Sequence, residues 1–199
     1  GDWSVRRGRE LGAATVGIVG FGRIGQGVAS RLRGFGPRVL AADPFLPDDV
    51  VRARGAEPVA LDDLFRRADV ITLHAPGGQR LVDAERLADM RPGTVLVNTA
   101  RGDLIDEASV ARALHDGILA CYAADTLDGD TAAHDSPLLA PELADRVIVT
   151  PHLGAQTTQA VDNMGSLSLA DVIAVLSGAE PAHPVPNASI PVPVPEETR

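Results

Sequence analysis

The sequence predicts a doubly wound parallel α/β sheet. Three observations point to it. Short apolar, β-branched runs recur along most of the 199 residues without polar alternation, as in strands buried on both faces. Segments with helical spacing separate these runs, as crossovers between parallel strands require. The first run ends in a glycine loop that opens a helix, the arrangement found at the ligand-binding edge of such sheets.

Thr15–Val19 is the first strand. Ile24, Val28, Leu32 and Phe35 then recur at helical spacing, and Gly34, Gly36 and Pro37 stop that helix. Arg38–Ala42 is the second strand. Leu61–Arg67 reads as a short helix opened by Asp62 and Asp63, and Val70–Leu73 as a strand. Asp83–Asp89 is helical, and the Arg91-Pro92-Gly93 turn leads into the strand Thr94–Asn98. Glu107–Asp116 is a helix stopped by Gly117. Leu119–Ala124 and Val147–Thr150 are strands. Thr157–Ser177 is a longer helix with Leu169, Val172, Ile173 and Leu176 on one stripe. From Pro181 onward six prolines exclude a helix and predict an extended tail. The expected organisation is one domain over 1–180 and a Pro-rich tail over 181–199.

A 45% apolar composition is enough for a packed core. A net charge of −9 argues against an extended nucleic-acid surface or an anionic membrane patch. No run approaches the ~20 apolar residues of a membrane span. The single cysteine, Cys121, excludes an internal disulfide and a cysteine-rich metal site, so no metal is expected. The chain opens Gly1-Asp2-Trp3-Ser4 without Met or a hydrophobic signal region. The expectation is a cytoplasmic protein and a piece of a longer one.

Gly20-Phe21-Gly22-Arg23-Ile24-Gly25 is G-x-G-x-x-G between a predicted strand and a predicted helix. In the Rossmann form of the fold Gly20 permits the tight turn, Gly22 lets a diphosphate approach the backbone, and Gly25 lets the helix lie close to the strand. The loop amides, those of Arg23 and Ile24 among them, and the positive helix end face the phosphates. Asp43 ends the second strand, where a carboxylate accepts from ribose hydroxyls and repels a 2′-phosphate. Pro44 and Phe45 follow rather than a basic residue, which favours NAD over NADP. The competing reading is a glycine-rich turn with a solvated aspartate.

Three later segments also end predicted strands: His74-Ala75-Pro76, Asn98-Thr99-Ala100-Arg101-Gly102 and Thr150-Pro151-His152-Leu153-Gly154. Ligands bind at such ends, so His74, Ala75, Pro76, Thr99, Ala100 and Gly154 are expected to line the cofactor. His74 is expected to be a packed strand-end histidine without a catalytic part. Arg101 is a permanent cation whose planar fork suits a carboxylate. His152 can trade a proton near neutral pH. Beside a nicotinamide, the pair suits oxidation of an alcohol next to a carboxylate.

On these motifs the chain resembles the NAD-binding domain of the D-isomer-specific 2-hydroxyacid dehydrogenases, a family that includes phosphoglycerate, glycerate and D-lactate dehydrogenases. The resemblance runs from about Gly1 to Pro186. It implies an oxidoreductase acting on a small 2-hydroxy or 2-oxo acid, with Arg101 binding substrate and polarising its carbonyl. It implies His152 as acid/base and Asp125 as the holder of the nicotinamide carboxamide; Arg101 and His152 also border the cofactor. The family's histidine-paired glutamate falls five positions after Asp125, where this chain has Asp130, one methylene shorter; Asp128 competes for the role. The connection Gly77-Gly78-Gln79-Arg80-Leu81-Val82 is shorter than the family's Thr-rich loop there.

The N-terminal half of the family's smaller domain is absent, so the chain alone is expected to bind NAD but turn over poorly. Apolar faces on its first and last helices would favour a homodimer. The alternative expectation is an NAD-responsive, corepressor-like binding module without turnover.

Overall fold

The computed structural model describes residues 8–129 and 135–184. The chain divides into two compact units, Gly1–Gly154 and Ala155–Arg199.

The first unit is built on one seven-stranded sheet. Its strands are β1 (Thr15–Val19), β2 (Arg38–Ala42), β3 (Glu57–Pro58), β4 (Val70–Leu73), β5 (Thr94–Asn98), β6 (Leu119–Ala124) and β7 (Val147–Val149). The order is β3-β2-β1-β4-β5-β6-β7, and every described pairing is parallel. The helices between strands are α1 (Arg23–Leu32), α2 (Asp48–Ala53), α3 (Leu61–Arg67), α4 (Ala84–Ala88) and α5 (Glu107–His115). The strand order reverses direction between β1 and β4, so the connections leaving these two strands diverge and open a crevice at their C-terminal ends.

Two apolar clusters flank the sheet. Leu64 and Phe65 of α3, Leu87 of α4, and Val110 and Leu114 of α5 pack with Leu40, Ile71, Leu73, Leu96 and Tyr122 of the strands. Ala29 of α1 and Val51 of α2 pack with Ile18, Val39 and Ala41. Helix ends follow local chemistry. Asp83 and Asp106 cap α4 and α5 by accepting first-turn amides. In α3, Asp62 and Asp63 sit in the first turn and Arg66 and Arg67 in the last, matching the helix dipole. Asp69 fastens the lower sheet edge. Its carboxylate accepts from Thr15 N at 2.8 Å and from Arg9 and Arg91, each at 3.2 Å. The Thr15 amide, with Arg91 and Arg9 beside it, holds this carboxyl below its usual value.

The predicted strands match in place, the last ending at Val149 instead of Thr150. The predicted stripe of α1 needs correction. Ile24 and Phe35 are 68% and 66% exposed, and the buried residues are Gly25 and Ala29. Val28 and Leu32 pack only partly. The helix lies so close to the sheet that its contact face is built from small side chains, and the larger apolar ones stand beside it. The segment from Asp48 to Pro58 carried no prediction. A six-residue helix shows less than two periods, and an edge strand ending in proline has little strand character.

The second unit is built on α6 (Thr158–Leu176). Thr157 caps it, its hydroxyl accepting from Ala160 N at 3.1 Å. Asp171 accepts from Ala182 N at 2.8 Å, which ties the following turn back to the helix. Within this unit no helical residue is buried. Among the described residues, no helix is long and apolar enough to cross a membrane.

Candidate functional site

The ends of β1, β2 and β4 form the first part of the site. Gly20 follows β1 at φ +84°, in the left-handed region. Its amide donates to Ala42 O at 2.9 Å. A Cβ there would lie 2.7 Å from the His74 carbonyl carbon and oxygen, so the turn requires glycine for two separate reasons. A Cβ on Gly25 would run into the Gly20 carbonyl oxygen and lie 3.2 Å from Ile18 Cγ2. Around Gly22 nothing lies within 4 Å of a Cβ position, and this residue caps α1 without a side-chain acceptor. The first turn of α1 thus has no side-chain acceptor for its amides, the condition under which a helix start welcomes an anion.

Asp43 is engaged more closely than its position in the sequence implied. Its carboxylate accepts from Phe21 N at 2.7 Å and from Phe45 N at 2.9 Å. It thus braces the glycine loop while closing the turn after β2. A carboxylate offers about four acceptor directions, so two remain. Gly20, Asp43, Phe45, Leu61, Ala75 and Pro76 help line a largely apolar cavity of ≈ 490 Å³. The Phe45 ring at this cavity is 86% exposed.

His74 is half-buried, with its Nε2 3.0 Å from Thr72 Oγ1 and its amide donating to Val19 O at 2.7 Å. Burial pushes its imidazole below the ordinary value. Its folded form thus binds a proton less readily than its unfolded form. Stability is full above about pH 6.5 and falls as pH drops from there toward the lowered folded value. Urea midpoints taken across this range should decline with acid, and His74→Asn should flatten the decline.

At the end of β5 the fully buried Asn98 shapes the next loop. Its Nδ2 donates to Arg101 O at 2.8 Å and its Oδ1 accepts from Ala100 N at 3.1 Å. Thr99 and Arg101 are exposed, and Ala100 is nearly buried. Arg101 Nη1 donates to Ala100 O at 2.7 Å. A Cβ on Gly102 would collide with the Leu127 carbonyl, so this loop and the loop after β6 touch through backbone. Arg101, Gly102, Thr126, Leu127 and Asp128 help line a second cavity of ≈ 440 Å³. Gly77 borders both cavities, which therefore adjoin.

The end of β6 supports the end of β7. Asp125 is buried and accepts from the Thr150 hydroxyl, from Leu153 N at 2.8 Å and from Gly154 N at 2.7 Å. Burial raises the Asp125 carboxyl, but the Thr150 hydroxyl, the two amides and the nearby His152 outweigh it and hold it below its usual value. His152 sits in this turn at φ +54°, the only non-glycine with positive φ among the described residues. Its amide donates to Asp125 O and Thr150 O, each at 2.9 Å. A β-carbon at Gly154 would lie 2.9 Å from Asp125 Oδ2, so the clamp needs glycine there as well. A strained backbone held by a buried carboxylate is the kind of geometry that fixes a reactive side chain.

The family model for the NAD binding domain of the D-isomer specific 2-hydroxyacid dehydrogenases matches residues 1–154. The chain belongs to this family. A D-3-phosphoglycerate dehydrogenase of Mycobacterium tuberculosis is 43% identical over 174 residues, 86% of this chain and 32% of that protein. One from Methanocaldococcus jannaschii is 37% identical over 195 residues, 94% of this chain and 36% of its own length. Among solved structures, the D-lactate dehydrogenase of Aquifex aeolicus, complexed with NAD and lactic acid, superposes with a TM-score of 0.79 at 31% identity. That match covers 88% of this chain and 58% of the other. The chain thus spans about a third of the length of these curated relatives.

The residues present fit the NAD of this dehydrogenase family. The open space at Gly22, the uncapped start of α1 and the apolar cavity beside Asp43 suit a diphosphate and an adenosine. Among the described residues no group of His, Cys, Asp and Glu could hold a metal ion. Asp130 lies outside the described residues. Glu107 is a supporting residue that sequence reading passed over. Its carboxylate accepts from Asp128 N at 2.9 Å and from the Ser136 hydroxyl at 2.6 Å. The sequence signal was its place at the first position of α5, where it reads as a helix-start acid. Asn98 was visible in its motif, but its backbone bonds to residues 100 and 101 were not.

Proposed function

We propose that the protein carries the cofactor-binding and proton-transfer half of an NAD-dependent D-2-hydroxyacid dehydrogenase. The observation that carries this reading is the linked set of strand ends. Arg101 follows β5, Asp125 follows β6 and clamps the turn after β7, and His152 occupies that turn. The glycine loop and the amides of Arg23 and Ile24 would hold the diphosphate, with Asp43 on the adenosine ribose. Ala75, Pro76, Thr99, Ala100 and Gly154 would border the rest, with His74 packed beneath. Asp125 would use its remaining acceptor direction on the nicotinamide amide.

Bound NAD supplies the hydride acceptor. Arg101 receives the substrate carboxylate and polarises the oxygen at C2. His152 takes the hydroxyl proton as the C2–H bond gives up hydride and the carbonyl forms, and returns it in the reverse direction. Asp130 would stabilise the charged imidazole. Domain organisation over 1–180, a cytoplasmic setting and a homodimer belong to the same reading; sedimentation velocity checks the last.

The test separates binding from chemistry. NADH affinity by fluorescence and turnover of D-2-hydroxy acids, followed by absorbance of reduced cofactor, are measured on this sequence and on a version extended to the length of its relatives. Arg101→Ala and His152→Ala should each lower turnover by a factor of 100 or more, on the order expected for catalytic groups, with NADH affinity within threefold. Asp43→Ala should weaken NADH binding. NAD binding without turnover of any acid in the extended protein would remove the reading.

A further inference from the structure

The connection from Gly77 to Val82 is short, and the structure shows what holds it. Leu81 N and Val82 N donate to Leu104 O at 2.8 and 2.9 Å, and Asp106 N donates to Val82 O at 2.8 Å. Val82 pairs with Ile105 as an isolated parallel bridge. The loop after β4 is thereby stitched to the loop after β5, which carries Arg101.

One stitch uses a side chain. Asp103 Oδ2 accepts from Gly78 N at 2.7 Å. A Cβ on Gly77 would lie 2.8 and 3.0 Å from the two Asp103 carboxylate oxygens and 3.1 Å from Arg101 Cγ. Gly77 is therefore wedged between the Asp103 carboxylate and the aliphatic stem of Arg101, with no room for a side chain. Arg101 makes no ion pair among the described residues, and its guanidinium donates to the neutral Ala100 O. A long arginine so loosely engaged loses rotamer freedom when a ligand fixes it, unless its stem is already confined.

We propose that Asp103 is a positioning residue that tethers Gly78, holds the Gly77-Gly78 turn against the Arg101 stem, and so presets the guanidinium at the ≈ 440 Å³ cavity they line. The proposal rests on the reading of Arg101 as the carboxylate anchor. Asp103 also brings a negative charge to that cavity, so the tether and the charge must be told apart. Asparagine does this, because its side-chain oxygen still accepts the Gly78 N–H while the charge is gone.

The first measurement needs no substrate. In the ¹⁵N-labelled chain, amide exchange at Gly78 and the order parameter of the Arg101 Nε–H group are compared in wild type, Asp103→Ala and Asp103→Asn. Asp103→Ala should speed Gly78 exchange about tenfold and lower the Arg101 order parameter, and Asp103→Asn should restore both. The second measurement titrates oxamate, an isostere of a 2-oxo acid, into the NADH-saturated chain. Affinity should fall about tenfold in Asp103→Ala and stay within about threefold in Asp103→Asn, with NADH affinity unchanged in both. Wild-type exchange and order in Asp103→Ala overturn the proposal. So does an asparagine variant that behaves like the alanine one. If Arg101→Ala keeps full oxamate affinity, the anchor reading of Arg101 falls, and with it the purpose of the tether; the exchange data then report the stitch alone.

Discussion

Asp125→Ala is expected to unfasten the turn that carries His152 and, on the proposed function, to abolish hydride transfer in the extended protein while leaving the adenosine end of the site working. The carboxylate takes three donors, Thr150 Oγ1, Leu153 N and Gly154 N, in a buried setting. Removing it takes the acceptor from the Leu153 and Gly154 amides, while the Thr150 hydroxyl keeps Ala124 O at 3.4 Å. The lost bonds to a charged acceptor set the loss at about 3 kcal/mol. For a chain of this size the melting temperature should drop by roughly 10 °C. The clamp on Leu153 N and Gly154 N helps fix the turn in which His152 holds φ +54°, so the ring should shift when the clamp goes, and misplacement on the ångström scale costs about 100-fold or more in turnover. ADP-ribose, which lacks the nicotinamide, should bind with near wild-type affinity. Loss of ADP-ribose binding would mean that the clamp supports the whole crevice and not the β7 turn alone.

The same carboxylate sets an acid limit. Its folded form resists protonation more than its unfolded form, so the unfolded chain binds more protons as pH falls past the ordinary value of 3.8. The contribution is complete above that value and drains away as pH falls through the lower folded one. Asp125→Asn should lack this part of the acid profile, visible in denaturant midpoints between neutral pH and about pH 3.

Gly20→Ala is expected to have the second large effect, and Gly22→Ala supplies the contrast. At Gly20 an alanine must adopt φ +84° and place its Cβ 2.7 Å from the His74 backbone. The conformation alone costs about 1–2 kcal/mol. Relief by movement is limited, because His74 N bonds Val19 O and Gly20 N bonds Ala42 O. The β1–α1 turn should shift, and NAD affinity should fall by about 100-fold, equivalent to about 2.7 kcal/mol. At Gly22 an added Cβ meets no protein atom within 4 Å, and φ is an ordinary −68°. Gly22→Ala should therefore melt within about 2 °C of wild type yet bind NAD about tenfold more weakly, since the methyl stands where a diphosphate approaches. Equal losses of stability in the two variants would contradict the assignment of a structural part to the first glycine and a ligand-facing part to the second.

Much of this architecture was legible because its signals are local. A strand buried on both faces must be apolar without alternation, and Thr15–Val19 or Val70–Leu73 shows that in a few residues. The glycine loop announces itself because a positive φ and a close backbone approach admit only glycine. The contact face of α1 was misjudged for the opposite reason. Which side of a helix is buried depends on how near the sheet lies, and a face of Gly25 and Ala29 leaves no hydrophobic stripe to read.

Residue types and chain order alone settled the parallel sheet and the nucleotide-binding edge, and they nominated Arg101 and His152 for the proposed chemistry. They could not show that Asp43 is already bonded to the glycine loop, that Asp125 builds the His152 turn, or that Asp103 reaches back to Gly78. These bonds join residues some 20 to 30 positions apart in the chain, across strand ends that become neighbours only when the sheet forms. A carboxylate in a sequence has no visible partner; its partners are chosen by the order in which strands pack.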